Sequence, residues 1–125
     1  MKKIVLVIED EDDMRGAIVA ALGKAGYHVI EAVNGQDGIA KALEFEPELI
    51  LLDLLMPIVD GHTALKEIRK TEWGKEAKIV ILTAMDDVTN LGKAYEEGIT
   101  DYVTKSEVSL ADIVTKVRET IGEPQ

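Results

Sequence analysis

Apolar residues recur along this chain in two rhythms. Ile4-Val5-Leu6-Val7-Ile8, Leu49-Ile50-Leu51-Leu52 and Ile79-Val80-Ile81-Leu82 are unbroken apolar runs. Such runs suit strands buried on both faces of a parallel sheet. Segments 27–33 and 99–103 mix polar with apolar residues, which predicts sheet edges where one side meets solvent. Between the strands the apolar spacing turns helical, as in Met14, Ile18, Ala21, Leu22 and Ala25. Ile39, Ala42 and Leu43 mark a second helix, Ala64, Leu65 and Ile68 a third, and Val88, Leu91 and Tyr95 a fourth. Leu110, Ile113, Val114, Val117 and Ile121 mark the fifth. Gly26, Gly98 and Gly122 stand where helices should stop, and Asn34-Gly35 signals a turn into the second helix.

This strict alternation predicts an α/β, doubly wound (βα)5 domain over residues 1–125, with helices on both faces and right-handed crossovers. With the mixed segments at the edges, the strand order is 2-1-3-4-5, the flavodoxin-like arrangement also found in a chemotaxis regulator. Its switch point lies between strands one and three, and ligands bind there beyond the carboxyl ends of the strands.

Composition narrows the function. A chain of 125 residues can bury about two-thirds of its unfolded surface. No apolar run approaches the roughly 20 residues needed to span a bilayer, and no secretory apolar stretch follows Lys2-Lys3. With no cysteine, disulfides and thiolate chemistry are excluded and a cytoplasmic setting is expected. The net charge of −10 argues against direct binding to nucleic acid or to anionic membranes, and favours a bound cation or a basic partner.

The carboxyl ends of the expected strands carry the chemistry. Strand one ends in Glu9-Asp10, strand three in Asp53, strand four in Thr83-Ala84, and strand five leads to Thr104-Lys105. Clustered carboxylates repel unless one protonates or a cation neutralises them. A donor set of oxygens without His or Cys points to a hard cation, Mg²⁺ before Zn²⁺. The remaining groups suit a phosphoryl group. Lys105 can balance one terminal oxygen, the Thr83 hydroxyl and Ala84 N–H can donate to others, and Asp53 can attack phosphorus to form an aspartyl phosphate. Glu11, Asp12 and Asp13 have a plainer reading as caps and dipole partners of the first helix, with Glu11 and Arg15 as a surface pair. His28 and His62 read as surface or edge residues away from the crevice, and Trp73 as a packing residue.

These residues resemble the receiver domain of two-component response regulators over nearly the whole chain. The likeness rests on Glu9-Asp10, on Asp53 within Asp-Leu-Leu-Met-Pro-Ile-Val-Asp-Gly, on Thr83-Ala84, and on Tyr102 followed three residues later by Lys105. The resemblance implies that Asp53 accepts a phosphoryl group from a phosphohistidine on a sensor histidine kinase or phosphotransfer protein. It implies Mg²⁺ held by Asp10, Asp53 and the Leu55 carbonyl, with Glu9 contributing directly or through water. Lys105 would contact the phosphoryl group, Thr83 would move toward it, and Tyr102 would turn inward. The surface of helix four, strand five and helix five would then change for a partner.

The protein is thus expected to be a phosphoacceptor switch and not a turnover enzyme, and a monomer. It would act on a protein target or on an output domain outside this stretch. A flavin or other phosphate-bearing ligand would meet repulsion from the acids at residues 9–13. An aspartyl-phosphate hydrolase would carry a second acid where Leu55 stands. A receiver-like module that no longer uses phosphate would have no need of Glu9, Asp10, Asp53, Thr83 and Lys105 together. The chain departs from the family at Ser106, where a proline usually follows the lysine; a trans bond, or a strained one, is expected there. Leu55 and Met85 are apolar and cannot orient an attacking water. The phosphorylated protein should therefore hydrolyse slowly. A half-life of seconds, measured on purified phosphoprotein, would contradict this.

Overall fold

The two-sided burial of the apolar runs is met by a central sheet with helices packed on each face. The structure, a computed structural model, describes residues 2–54, 60–83 and 88–125, without the side chains of residues 83, 88–91 and 93. In chain order the elements are β1 (Ile4–Ile8), α1 (Asp12–Ala25), β2 (His28–Ala32), α2 (Gly35–Phe45), β3 (Leu49–Asp53), α3 (Gly61–Arg69), β4 (Ile79–Thr83), α4 (Val88–Glu97), β5 (Asp101–Thr104) and α5 (Leu110–Ile121). All strand pairs are parallel, in the order β2-β1-β3-β4-β5. The expected topology is borne out.

Side chains alternate across a strand, so each apolar run feeds two cores. Leu6, Ile8, Ile50, Leu52, Ile79 and Ile81 pack with Ala42 of α2, Leu65 and Ile68 of α3, and Ala94 of α4. Val5, Val7, Leu49, Leu51, Val80 and Leu82 pack on the other face with Ile18 and Leu22 of α1, and Ile113 and Val117 of α5. Each large aliphatic side chain wholly buried this way contributes about 1.5–3 kcal/mol. Trp73 packs against the first of these cores, the packing role expected from its sequence position.

Local chemistry sets the element ends. Asn34 and Asp60 accept from the backbone N–H of Asp37 and Thr63 at 2.8 Å each, and Ser109 with Asp112 forms a reciprocal capping box. Gly26, Gly98 and Gly122 sit just past α1, α4 and α5 with φ of +113°, +88° and +81°, where a side chain would be strained.

Both edge strands are shorter or shifted relative to the sequence expectation. Tyr27 leaves the ladder to pack in the α1–α5 core, its hydroxyl donating to the Gly122 carbonyl at 2.6 Å. β5 begins at Asp101; just before it, the Thr100 hydroxyl accepts from the Ile79 N–H at 3.1 Å and the Thr100 N–H donates to the Ile79 carbonyl at 2.9 Å.

Gly61 controls how closely α3 approaches the end of β3. It opens α3, and its N–H donates to the Leu54 carbonyl at 3.0 Å. A Cβ there would lie 2.4 Å from the Asp53 carbonyl oxygen and 2.5 Å from the Leu54 Cα. Only glycine lets the helix start against the strand in this way. Gly61→Ala should therefore cost about 1–3 kcal/mol, the range for overpacking, and nearer its top because the obstacle is backbone. Gly16→Ala, in exposed helix with nothing within 4 Å of the new Cβ, should instead stabilise by up to about 1 kcal/mol. Denaturant midpoints of the two variants should move in opposite directions.

Candidate functional site

Strand register brings the site together. Ile8 pairs with Leu52, so Glu9 and Asp53 emerge at the same level of adjacent strands. Asp53 is level with Leu82, Leu82 with Val103, and Thr83 with Thr104. Lys105 follows one residue beyond the end of β5. Its four-carbon stem reaches back across the sheet ends, placing Nζ 2.7 Å from Glu9 Oε1, 3.2 Å from Asp53 Oδ2 and 4.0 Å from Glu11 Oε1.

Burial makes these contacts strong. Glu9 is fully buried, Asp53 is 3% exposed, and Asp10 is half-buried. A charged group removed from water is costly unless paired and hydrogen-bonded. Glu9 is paired by charge with Lys105, whose Nζ faces Oε1, and its Oε2 accepts from the Glu11 N–H at 3.2 Å, while Oε1 takes no hydrogen bond of its own. For Lys105, burial works against the ammonium. The close approach and charge of Glu9 and Asp53 outweigh it and raise its pKa above the ordinary lysine value.

One oxygen each from Glu9, Asp10 and Asp53 falls within a 4.8 Å cluster. Carboxylates alone, half-open on the Asp10 side, suit a hard divalent cation that keeps some of its waters, which is the chemistry of Mg²⁺. The donor set fits the expected metal.

The structure therefore brings together Glu9, Asp10, Asp53 and Lys105. Thr83 ends β4 level with Thr104, its side chain being outside the description. Leu55, Ala84 and Met85 lie outside the described residues. Tyr102 is on the edge strand, 37% exposed, with its ring edge-to-face against Tyr95 at 6.2 Å and 82°. The Lys105–Ser106 peptide is trans.

Two plainer expectations need correction. Glu11 does not pair with Arg15: it stands at the N-cap of α1 without a side-chain cap bond, and its carboxylate approaches Lys105. Arg15 turns inward instead, with contacts to Asp12 at 2.6 Å and Glu31 at 3.0 Å. The sequence held the signal, since Arg15, Ile18 and Leu22 follow the i, i+3, i+7 spacing of one buried face. His28 opens β2 at the far end of the sheet, as expected. His62, however, is half-buried in the first turn of α3, beside the Gly61 that packs on the Asp53 backbone.

Comparison with known proteins agrees with this fold. The family model for the response regulator receiver domain matches residues 5–118. The DNA-binding dual master transcriptional regulator RpaA of Synechocystis is 34% identical over 124 residues, covering 97% of this chain and 52% of its own length. The transcriptional regulatory protein ResD of Bacillus subtilis is 37% identical over 114 residues, covering 91% and 46% respectively. The chain thus spans about half the length of these curated relatives. Among solved structures, the receiver domain of the sensor histidine kinase PA1611 of Pseudomonas aeruginosa superposes with a TM-score of 0.88 at 28% identity, over 98% of this chain and 100% of that one. That structure holds a magnesium ion in its active site cleft. Chemotaxis protein CheY4 of Vibrio cholerae, with a TM-score of 0.89 at 23% identity over 96% of this chain and 99% of its own, shares the fold.

The ion pairs predict how stability responds to metal. Because its folded pKa is raised, Lys105 stabilises the protein fully below the ordinary value of 10.5, and that contribution is lost as pH rises through the folded value. Lys105→Met should destabilise the metal-free protein by roughly 3 kcal/mol at neutral pH, the low end for breaking a buried pair, since Lys105 keeps some solvent contact. Added Mg²⁺ should raise the melting temperature of the variant more than that of wild type, because it meets the same acids without a competing ammonium. Thermal melts with and without Mg²⁺ check both effects.

Proposed function

Because the chain belongs to the response regulator receiver family, we propose that it is a Mg²⁺-dependent phosphoacceptor switch in which Asp53 receives the phosphoryl group. The observation that carries this reading is the reach of one ammonium, Lys105 Nζ, to both Glu9 and Asp53 at the buried strand ends, with Asp10 in the same acidic cluster.

In this reading an oxygen of Asp53 attacks the phosphorus of a phosphohistidine on a sensor histidine kinase or phosphotransfer protein. A P–O bond forms as the P–N bond breaks, and the electron pair leaves on the imidazole nitrogen. Asp10, Asp53 and the Leu55 carbonyl would hold Mg²⁺, with Glu9 contributing directly or through water. The bound cation supplies charge neutralisation for the phosphoryl oxygens. Glu9 holds the Lys105 ammonium in place, and that ammonium balances a further oxygen. Thr83 and Ala84 donate to the rest. Displacement of Thr83 toward the phosphoryl group draws Tyr102 inward, away from Tyr95, and alters the surface of α4, β5 and α5.

Residues 1–125 then form the receiver unit of a cytoplasmic signalling protein, a switch and not a turnover enzyme. No helix among the described residues is long and apolar enough to cross a membrane. The expectation that nucleic acid plays no direct part meets a partial conflict, since one relative is named a DNA-binding regulator. We assign any DNA contact to an output domain outside this stretch, the charge of −10 here being unsuited to it.

Incubation with Mg²⁺ and acetyl phosphate should add the mass of one phosphoryl group to the wild type and none to Asp53→Asn. Chelating the metal should abolish labelling. Amide spectra should show changes spreading from Asp53 to Tyr102. Labelling that survives Asp53→Asn, or that ignores Mg²⁺, would overturn the proposal.

A further inference from the structure

Among the described residues, three charged side chains are buried: Glu9, Asp53 and Arg15. The first two belong to the acidic cluster, whereas Arg15 takes no part in the phosphoacceptor chemistry. Its guanidinium makes three directed contacts. Nη2 donates to Asp12 Oδ1 at 2.6 Å, Nε to Glu31 Oε1 at 3.0 Å, and Nη1 to the buried backbone carbonyl of Glu9 at 2.9 Å. Two carboxylates on different elements, α1 and β2, thus aim the third arm of a rigid planar fork.

The target is the peptide that joins Glu9 to Asp10. The Glu9 N–H donates to the Ala32 carbonyl of β2 at 3.2 Å, so β2 fixes one side of the residue and Arg15 the other. The Glu31 carbonyl is itself held by Lys41 Nζ at 2.6 Å, which ties this bracket to α2. Rotation of the Glu9–Asp10 peptide plane would strip the carbonyl of a buried partner and would swing the Asp10 side chain relative to Asp53.

We propose that Arg15 is a positioning residue for the cation site, fixing the Glu9–Asp10 peptide and thereby the preference of the acidic cluster for Mg²⁺ over Ca²⁺. The inference rests on the reading of Glu9, Asp10 and Asp53 as a Mg²⁺ site. Mg²⁺ requires a near-ideal octahedron with bonds of about 2.0–2.1 Å, whereas Ca²⁺ accepts bonds of about 2.3–2.6 Å and irregular geometry. Loosening one carboxylate should therefore penalise Mg²⁺ more. Charge alone gives the opposite sign, since deleting a cation near an acidic cluster tightens the binding of any divalent ion. One titration separates the geometric effect from the electrostatic one.

The test measures Kd for Mg²⁺ and for Ca²⁺ by calorimetric titration of the full chain, as wild type, Arg15→Met and Arg15→Lys, with thermal melts to verify folding. Arg15→Met should weaken Mg²⁺ binding about tenfold or more, the usual scale for losing a group that orients a metal ligand. Ca²⁺ binding should weaken less, so the Mg²⁺/Ca²⁺ ratio falls. Arg15→Lys keeps the charge but cannot span Asp12, Glu31 and the Glu9 carbonyl at once, and its ratio should fall in the same direction. If Arg15→Met does not melt cooperatively, Arg15→Lys decides. Unchanged or tighter Mg²⁺ binding, or an equal loss for both ions, overturns the positioning role. A wild-type chain that binds no Mg²⁺ overturns the metal reading itself, and this inference with it.

Discussion

Two carboxylates, on Glu9 and Asp53, are carried out of water at the ends of adjacent central strands, and one ammonium, on Lys105, lies between them. Taking either acid into the interior alone would cost several kcal/mol, and taking both would add their mutual repulsion. The Lys105 contact makes the arrangement tolerable in the absence of metal. It also holds the acids close to one another, so a divalent cation meets a formed site. Much of the surrounding structure serves this contact. The parallel register levels Glu9 with Asp53, and the missing Cβ of Gly61 lets α3 close over the Asp53 backbone.

The same lysine links the site to a distant surface. Lys105 directly follows β5, a strand of four residues that pairs only with β4 and carries Tyr102 on its exposed side. Asp101, at the start of the strand, is bound to Lys116 of α5 at 2.7 Å. Burial opposes ionisation of Asp101, but its hydrogen bonds to Lys116 and to the Tyr102 N–H hold its carboxyl below the usual range. So the strand is anchored at one end by an ion pair to a helix and at the other by the ion pairs of the site. A change in charge at Asp53 acts on one of those anchors, three residues from a tyrosine ring packed edge-on against Tyr95. Short edge strands with few partners belong to the low-stability part of a fold, where conformational responses arise.

On the opposite flank the site is bracketed by polar side chains. Arg15, Glu31, Lys41 and Asp37 join α1, β2 and α2 into one polar network behind the Glu9–Asp10 peptide. The domain thus carries Glu9 and Asp10 on a flank braced by several polar contacts, and Lys105 and Tyr102 on an edge strand held at its two ends by ion pairs. In the proposed switch, the phosphoryl transfer would take place beside the braced flank and the response would travel through β5.

How much of this could be read without coordinates depends on the range of the interaction involved. Residue spacing alone determined the alternation of strands and helices. Runs such as 4–8 and 79–82 are apolar at every position, and only a strand covered on both sides buries all of them. The mixed segments placed strands two and five at the edges, and the known doubly wound arrangement with those edges supplied the interior order and its crevice. Asp53, Glu9 and Asp10 were legible because charges at the ends of buried strands have one place to go, and Lys105 because parallel strands bring their carboxyl ends to one side. Side-chain partners were not legible. Glu11 and Arg15 stand four apart on a helix, and local spacing favoured pairing them. Only the packed structure put Glu31 of β2 and the Glu9 carbonyl within reach of the guanidinium, so that burial drew Arg15 inward and left Glu11 facing Lys105. The Thr100 hydroxyl likewise found its partner, the Ile79 N–H, 21 residues away. Periodicity and strand-end chemistry are encoded locally. Which long polar side chain finds which buried acceptor is decided by tertiary contacts, because those partners are distant in sequence and compete on nearly equal terms until the core excludes water.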